Sequence, residues 1–355
     1  NKEQKKKKNV LLLFLLFISC GTKNKEYANN VFPYSQFPQE KELKGEVIEL
    51  DTALFRYPFR IRIEGDKAIV LDLHGSDYYG HLFQYPSFRY LSSFGRRGDS
   101  PLEMLSMENF RLHNHTLWTL DANKSELTRL DFSSSGDSLL REETVALDED
   151  ILRPLDFAIY NDTTFVIPDY SGESRFLKVD CKGKLIEKIG TIPTTNKKAL
   201  QEARPALAQA WRSFLDYNSH NSVLATVTQL GEVVEIYNLK DSTHVIRVGE
   251  YDEPEFKVSD GYGIPTGIMG FSDVQVTDDA IYAVFHGTSF KDIARQSGRL
   301  PDGGKYIYVF SLKGEPLCKY VLDHYIYGIW VDEVTKTIMA TDVNNDQPIL
   351  KFSFG

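Results

Sequence analysis

Eleven residues from Phe94 to Met104, FGRRGDSPLEM, combine side chains that could form a small charged site with residues that typically turn the backbone. Arg96 and Arg97 are adjacent, and they are followed by the carboxylates Asp99 and Glu103; paired guanidinium groups of this kind can bind an anionic group. The glycines and the proline are equally typical of a turn between two strands. The elements on either side of the loop decide between the two interpretations.

The sequence contains no arrangement typical of a catalytic or metal centre. Its eight histidines are scattered, without the spacing of a zinc site, a nucleophile elbow or a phosphate-binding glycine loop. The segment Asp342-x-Asn344-x-Asp346 resembles the first half of a calcium loop, but Gln347 replaces the glycine and Ser353 the bidentate glutamate. We therefore favour a hairpin turn here over calcium, and we expect no cofactor.

Residues 1–19 have the order of an export signal. A lysine-rich segment precedes an apolar run of about ten residues, which is too short to span a bilayer and is typical of a secretory signal peptide. The stretch from Leu16 to Gly21 resembles a bacterial lipobox, although Phe17 replaces the usual leucine. This resemblance implies cleavage before Cys20 and lipidation of Cys20, so that the protein is anchored in the cell envelope, at the outer membrane. An ordinary signal peptide with an incidental cysteine is the alternative.

The charge balance limits the partners. Loss of residues 1–19 removes five lysines and one glutamate and leaves 36 basic against 49 acidic residues, a net charge of −13. Nucleic-acid binding has no electrostatic support, and the lipid is the expected contact with the membrane. Residues 20–42 are polar and without periodicity, which predicts a flexible tether. Cys181 and Cys318 are expected to be free.

Residues 43–355 are predicted to form one all-β domain. Short alternating or apolar segments recur between turn residues, for example at Phe59–Ile63, Ala68–Leu73, Thr116–Asp121 and Leu127–Phe132. One stretch, Lys197–Ala210, is helical in pattern and is interrupted by Pro205.

These strands group into six similar units, spaced by roughly fifty to sixty residues. The units open near Phe59, Asn109, Leu155, Trp211, Phe271 and Tyr327. The last unit has room for three strands before Gly355, and Val47–Asp51 can supply its fourth. The sequence therefore predicts a six-bladed β-propeller that is closed by sharing N- and C-terminal strands in the last blade.

The segment from Phe94 to Phe132 resembles an NHL/TolB-type propeller repeat. The matching positions are Phe94, Gly95, Gly98, Leu120-Asp121 and Phe132. The chain as a whole resembles the TolB-like six-bladed propeller lipoproteins of Bacteroidetes-type bacteria. Where those proteins often have Gly-Pro-Gly-Glu, Leu102 replaces a glycine. The resemblance implies that the opening loop joins the outer strand of one blade to the inner strand of the next, and a turn is favoured over a catalytic loop.

A propeller brings these junctions, and the loops between second and third strands, to one face around the central channel. The predicted ligand-binding face comprises His74, Tyr79, Arg96, Arg97, Asp99, Glu103, Asp169, Tyr170, His286 and Arg295. Long insertions at Thr191–Ala210, Glu250–Gly267 and His286–Gly304 add to it.

Two functions remain open at this point. The first is a binding or scaffold module for a protein, peptide or glycan. The second is a propeller hydrolase or lyase that acts on a carbohydrate or lactone, with its groups at the inner-strand ends. Those ends carry Arg60, Arg62, Arg111, Asp156, Arg212 and Asp273, a mixed set without a metal cage. Fold alone does not settle function, and we favour binding.

Overall fold

The computed structural model describes residues 29–51, 55–296 and 300–355. Three short strands precede the first blade: β1 (Val31–Pro33), β2 (Gln39–Leu43) and β3 (Glu46–Ile48). Blade 1 contains β4 (Pro58–Glu64), β5 (Lys67–Asp72), β6 (Tyr78–Gln84) and β7 (Arg89–Arg96). Blade 2 contains β8 (Met107–His113), β9 (Thr116–Asp121), β10 (Glu126–Phe132) and β11 (Leu139–Ala146). Blade 3 contains β12 (Ala158–Asn161), β13 (Thr164–Pro168), β14 (Phe176–Asp180) and β15 (Leu185–Ile189).

Two helices, α1 (Lys197–Glu202) and α2 (Arg204–Ala210), lead into blade 4. This blade contains β16 (Ser213–Asn218), β17 (Val223–Thr228), β18 (Val233–Asn238) and β19 (Thr243–Val248). A hairpin of β20 (Phe256–Ser259) and β21 (Tyr262–Pro265) follows. Blade 5 contains β22 (Phe271–Val276), β23 (Ala280–Phe285), β24 (Gly304–Ser311) and β25 (Pro316–Ile326), with α3 (Phe290–Arg295) inserted after β23. Blade 6 contains β26 (Ile329–Asp332), β27 (Thr337–Thr341) and β28 (Ile349–Ser353).

The first strands of the blades form a ring. Each of β4, β8, β12, β16, β22 and β26 contacts the first strand of both neighbouring blades. Second strands such as β17 and β23 are buried along their whole length, whereas the outer strand β15 is mostly exposed. This gradient matches the apolar runs and the polar outer segments of the sequence. The predicted all-β, six-bladed propeller is confirmed.

The ring closes between the two ends of the domain. Strand β3 pairs antiparallel with β28, so that Ile48 lies opposite Ile349 and Val47 opposite Leu350. In the same region Ile61 and Ile63 of blade 1 belong to one buried cluster with residues of blade 6. The predicted sharing of terminal strands in the last blade is confirmed, with a strand shorter than expected, Glu46–Ile48.

The predicted tether is wrong for its second half. Strand β1 pairs in parallel with β19, with Val31 opposite Ile246, and β2 pairs in parallel with β25. Each therefore adds a fifth strand to the outer edge of blade 4 or blade 5. Only Leu43 of β2 is buried, because an edge strand on the outside of a propeller faces solvent. Its polar composition is consequently indistinguishable from that of a linker.

The helical stretch is confirmed, but its interruption lies at Ala203, between α1 and α2, and not at Pro205. Helix α1 is capped by Asn196, whose Oδ1 accepts from the backbone N of Ala199 at 3.0 Å. Pro205 lies in the first turn of α2, where the missing N–H costs nothing. Helix α3 begins after the cap Ser289 and was not predicted.

Cys20 and the signal segment 1–19 lie outside the described residues. No helix in the described ranges has the length and apolar character that a membrane crossing requires. Cys181 is half-buried and Cys318 is buried; both are free, as expected.

Candidate ligand-binding face

The loop from Phe94 to Met104 is a blade junction, leading from β7 of blade 1 to β8 of blade 2. It folds back on itself: the N of Gly98 donates to the O of Met104 at 3.0 Å, and the N of Met104 donates to the O of Arg96 at 2.8 Å. Gly95 has a φ of +67° and Gly98 a φ of +155°, backbone conformations that other residues rarely adopt. Its glycines are therefore required by backbone geometry.

Its two arginines differ in their surroundings. Arg96 is exposed and lies 3.5 Å from Glu103. Arg97 is half-buried; its guanidinium stacks 3.9 Å from the centre of the Tyr79 ring and donates to the carbonyl of Leu73. Arg97 and Tyr79 line a cavity of about 290 Å³ together with His74. The structure thus brings these three predicted site residues together between blades 1 and 2, whereas Asp99 is exposed beside them.

Aspartates at the ends of second strands hold the neighbouring loops. Asp121 accepts from the backbone N of Leu105 at 2.7 Å and of Ser106 at 3.2 Å, which fixes the end of the opening loop. Asp169 is buried and accepts from the N of Ser174 at 2.8 Å and from its Oγ at 2.7 Å. Asp169 was predicted on the ligand-binding face, but its carboxylate is fully engaged by its own loop.

Tyr170 follows at the same edge and is also largely engaged. Its hydroxyl lies 3.5 Å from the carbonyl of Ser213, and the guanidinium of Arg212 lies 5.8 Å from its ring centre. Burial raises the pKa of the Tyr170 hydroxyl, so it stays protonated at neutral pH. Arg295 lies at the end of α3 and is exposed; it lines none of the cavities found among the described residues.

His286 follows the second strand of blade 5 and lies at the boundary of two cavities. It is only 9 % exposed, and its Nε2 has no hydrogen-bond partner. Burial lowers the pKa of His286 to about 4, although the charge of Asp302 opposes this shift. At neutral pH the imidazole is therefore neutral, and its Nε2 is buried without a hydrogen-bond partner.

Aromatic rings from different blades converge beside His286. Ring centres lie 5.8 Å apart for His286 and Tyr327, 4.9 Å for Phe59 and Tyr327, and 5.6 Å for Tyr57 and Tyr327. The cluster is completed by Phe214, 5.9 Å from Phe59, and His74, 5.0 Å from Tyr57. We call Tyr57, Phe59, His74, Phe214, His286 and Tyr327 the channel mouth.

A carboxylate is fixed at the edge of the channel mouth. The hydroxyl of Tyr57 donates to the carboxylate of Asp302. The loop that carries Asp302 is held by Asn344, which exchanges hydrogen bonds of 2.8 and 2.7 Å with its backbone. Burial, Tyr327 and Asp302 all raise the pKa of Tyr57. Asp302 is half-buried and can accept a further hydrogen bond from a ligand.

The segment Asp342–Asp346, which resembles half of a calcium loop, supports the loop that carries Asp302. The carboxylate of Asp342 accepts from the backbone N of Asn344 at 2.8 Å, from its Nδ2 at 2.9 Å, and from Asn345. Asp346 is exposed. Across the described ranges, no group of three or more His, Cys, Asp or Glu side chains is arranged to hold a metal ion. The segment turns the chain and positions Asp302.

Buried ion pairs fill the centre of the ring below the channel mouth. Arg62 donates two hydrogen bonds of 3.1 Å to Asp273, and Arg111 binds Asp156 at 2.7 Å. Arg60 also pairs with Asp273 at 3.3 Å. These four inner-strand groups and Asp156 therefore bind one another.

Arg60 connects this layer to the channel mouth. Its guanidinium lies between the rings of Phe59 and Phe214, at 4.0 and 4.3 Å from their centres. The residue is 1 % exposed, and its Nη2 has no hydrogen-bond partner. The desolvation of this charge lowers the pKa of Arg60.

The aromatic members of the channel mouth were not predicted as site residues. A signal for two of them exists, because Phe59 and Tyr327 each stand at the start of an aligned unit. Aromatic residues at the start of an inner strand point to the channel entrance once the strand order is known.

A family model described as TolB-like 6-blade propeller-like matches residues 36–334 of the chain. Among solved structures, a candidate exported protein of Bacteroides fragilis is similar, with 13 % identity and a TM-score of 0.58, covering 91 % of this chain and 98 % of that one. An auxiliary nutrient binding protein of Bacteroides ovatus has 10 % identity and a TM-score of 0.53 over 84 % of this chain and 70 % of that one.

A Bacteroides vulgatus protein of the DUF4221 family has 10 % identity and a TM-score of 0.55, covering 89 % and 96 % of the two chains. At these identities the similarity concerns the fold. No curated protein matches the sequence of this chain significantly.

Proposed function

The chain belongs to the TolB-like six-blade propeller family, and we propose that it is an exported binding module whose channel mouth binds a glycan. The observation that carries this proposal is the convergence of Tyr57, Phe59 and Tyr327 next to the carboxylate of Asp302. Aromatic faces pack against the C–H faces of sugar rings, while carboxylate, hydroxyl and imidazole groups bond sugar hydroxyls. A mainly aromatic pocket with a few fixed polar groups is typical of a small-ligand site.

The anchoring of the module is a further part of this proposal. The lipobox-like segment ending at Cys20 supports an envelope protein held at the outer membrane by lipid. The acidic body supports the same arrangement, because it would be repelled from anionic lipid headgroups and from nucleic acid. The nutrient-binding description of the Bacteroides ovatus neighbour supports a binding role.

The proposal is tested on arrays of oligosaccharides and of peptides with the purified protein. We expect binding to oligosaccharides, and a loss of that binding of about tenfold or more in Tyr327→Leu, because a ring at the centre of the channel mouth would be removed. Tyr262→Leu, at an exposed tyrosine on β21, is the matched control. Binding to peptides alone, or glycan binding that survives Tyr327→Leu, would contradict the proposal.

A further inference from the structure

A second cavity, of about 490 Å³, lies between blades 4 and 5 and adjoins the channel mouth at His286, which lines both. The N-terminal segment between β1 and β2 forms one side of it. We call it the acid–aromatic cavity, after the side chains that line it: Tyr34, Phe37, Tyr251, Phe285, Tyr306, Tyr308, Glu40, Glu232, Glu250 and Lys319. Its volume is within the range of small-molecule sites.

The aromatic rings of the cavity form a continuous wall. Tyr308 stacks on Phe285 with ring centres 4.8 Å apart, and Phe37 lies 4.7 Å from Tyr308. Tyr251 extends the wall, 6.1 Å from Phe285, and is half exposed to solvent. Because the face of an aromatic ring carries partial negative charge, such a wall attracts cations.

The charge within the cavity is negative. Glu232 is 3 % exposed and accepts a hydrogen bond from the backbone N of Tyr251 at 3.1 Å. Burial and the like-charged Glu250 raise the pKa of Glu232, and the side chain of Tyr34 is a further polar neighbour. Among the described residues, Glu232 forms no ion pair with a lysine or arginine. A buried carboxylate without a cation is costly.

The basic side chain at the cavity is already engaged. The Nζ of Lys319 lies 2.8 Å from Glu40 and 5.0 Å from the centre of the Tyr306 ring. The wall therefore already holds one ammonium group by a carboxylate and an aromatic face, whereas no described lysine or arginine makes such contacts with Glu232 or with the Phe285–Tyr308 pair.

We propose that the acid–aromatic cavity binds an organic cation, whose ammonium group lies between Glu232 and the rings of Phe285, Tyr308 and Tyr251. Aromatic rings combined with a carboxylate are the arrangement that recognises substituted ammonium groups. This site is separate from the channel mouth, and it extends the proposed function to a second, cationic ligand.

The test uses the full-length protein and isothermal titration calorimetry with choline and with its uncharged isostere 3,3-dimethylbutan-1-ol. We expect saturable binding of choline and binding of the isostere that is about tenfold weaker or more, because a desolvated cation–π contact is lost with the charge. Absence of choline binding, or equal affinity for the two compounds, would overturn the proposal.

Two substitutions locate the cation. Glu232→Gln keeps the size of the side chain and an acceptor for Tyr251, and it is expected to weaken choline binding about tenfold while Tm is retained. Tyr251→Leu, at an exposed position, should also weaken choline binding, whereas Tyr262→Leu, at another exposed tyrosine, should not. Unchanged affinity in both Glu232→Gln and Tyr251→Leu would show that the cation does not bind here.

A third substitution separates this inference from the proposed function. Tyr327→Leu is expected to leave choline binding unchanged, because Tyr327 lines the other cavity. Loss of choline binding in Tyr327→Leu would place the cation at the channel mouth and overturn the present inference. Failure of glycan binding would not affect it.

Discussion

His286 makes the free energy of unfolding depend on pH. Its pKa is lowered to about 4 from an ordinary value of 6.5. Between these two values the unfolded chain binds a proton at this imidazole and the folded protein does not, so the free energy of unfolding falls as the pH falls. The destabilisation by His286 is absent above about pH 6.5 and complete below about pH 4.

We therefore expect His286→Gln to lose less stability than the wild type on acidification, by about 2 to 3 kcal/mol between pH 7 and pH 4. Urea unfolding at the two pH values measures this difference. His220→Gln, at an exposed histidine, is the control for removal of an imidazole. The same loss of stability in the wild type and in His286→Gln would contradict the assignment.

The two arginines of the opening loop are expected to differ in their effect on stability. Arg97→Ala should lower the free energy of unfolding by about 1 to 2 kcal/mol, because it removes a guanidinium stacked on Tyr79 and bonded to Leu73. Arg96→Ala should change it by about 0.5 kcal/mol or less, since the side chain is exposed. Chemical unfolding of the two variants measures both values, and equal effects would be inconsistent with this structure.

At the scale of elements, the N-terminal strands are part of the propeller and not a linker. Tyr34 and Phe37, between β1 and β2, pack against Phe310 with ring centres 5.4 and 5.5 Å away. We expect Phe37→Ala to lower the free energy of unfolding by about 2 kcal/mol, because an apolar contact is lost and a cavity is left. The measurement is denaturant unfolding.

Glu40→Ala is the matched control, at an exposed position of the neighbouring strand β2, and it should cost about 0.5 kcal/mol or less. If Phe37→Ala were as harmless as Glu40→Ala, residues 30–43 would behave as a tether after all.

Most elements could be predicted because their burial leaves a pattern in the sequence. The second strand of blade 1, KAIVLD, is buried at every position but its first, and its apolar run identifies it. Strand β3 was predictable by counting strands, because blade 6 has only three strands of its own and needs a fourth to match the other blades. Strands β1 and β2 were not predictable. The sequence of β2, QEKEL, lies at a solvent-facing edge and contains one buried side chain and no alternation.

Propeller geometry predicts the position of a face but not which side chains are free on it. The structure places the predicted residues His74, Arg97 and His286 at cavities. The predicted geometry does not show that the carboxylate of Asp169 is hydrogen-bonded within its own loop. Nor does it show that Tyr57 donates to Asp302, which lies near the other end of the chain. Such pairings depend on which blades become neighbours of the channel, and that is a property of the closed ring.

At the scale of the whole molecule, the anchor is the prediction to test first. Cys20→Ser should abolish lipid labelling and move the protein from the membrane fraction to the soluble fraction, because Cys20 is the proposed lipid attachment site. Cys181→Ser is the control and should leave the protein in the membrane fraction. Membrane association of Cys20→Ser that persists after a high-salt wash would exclude the lipoprotein hypothesis.

The pairing of β1, β2 and β3 with blades 4, 5 and 6 also determines when the ring can close during synthesis. These strands precede blade 1 in the chain, whereas their partners β19, β25 and β28 belong to the last three blades. A chain that emerges from the ribosome therefore carries three strands whose partners do not yet exist, and the ring cannot close until the final blade has been made. The topology therefore makes ring closure a late step, which must follow the synthesis of blade 6.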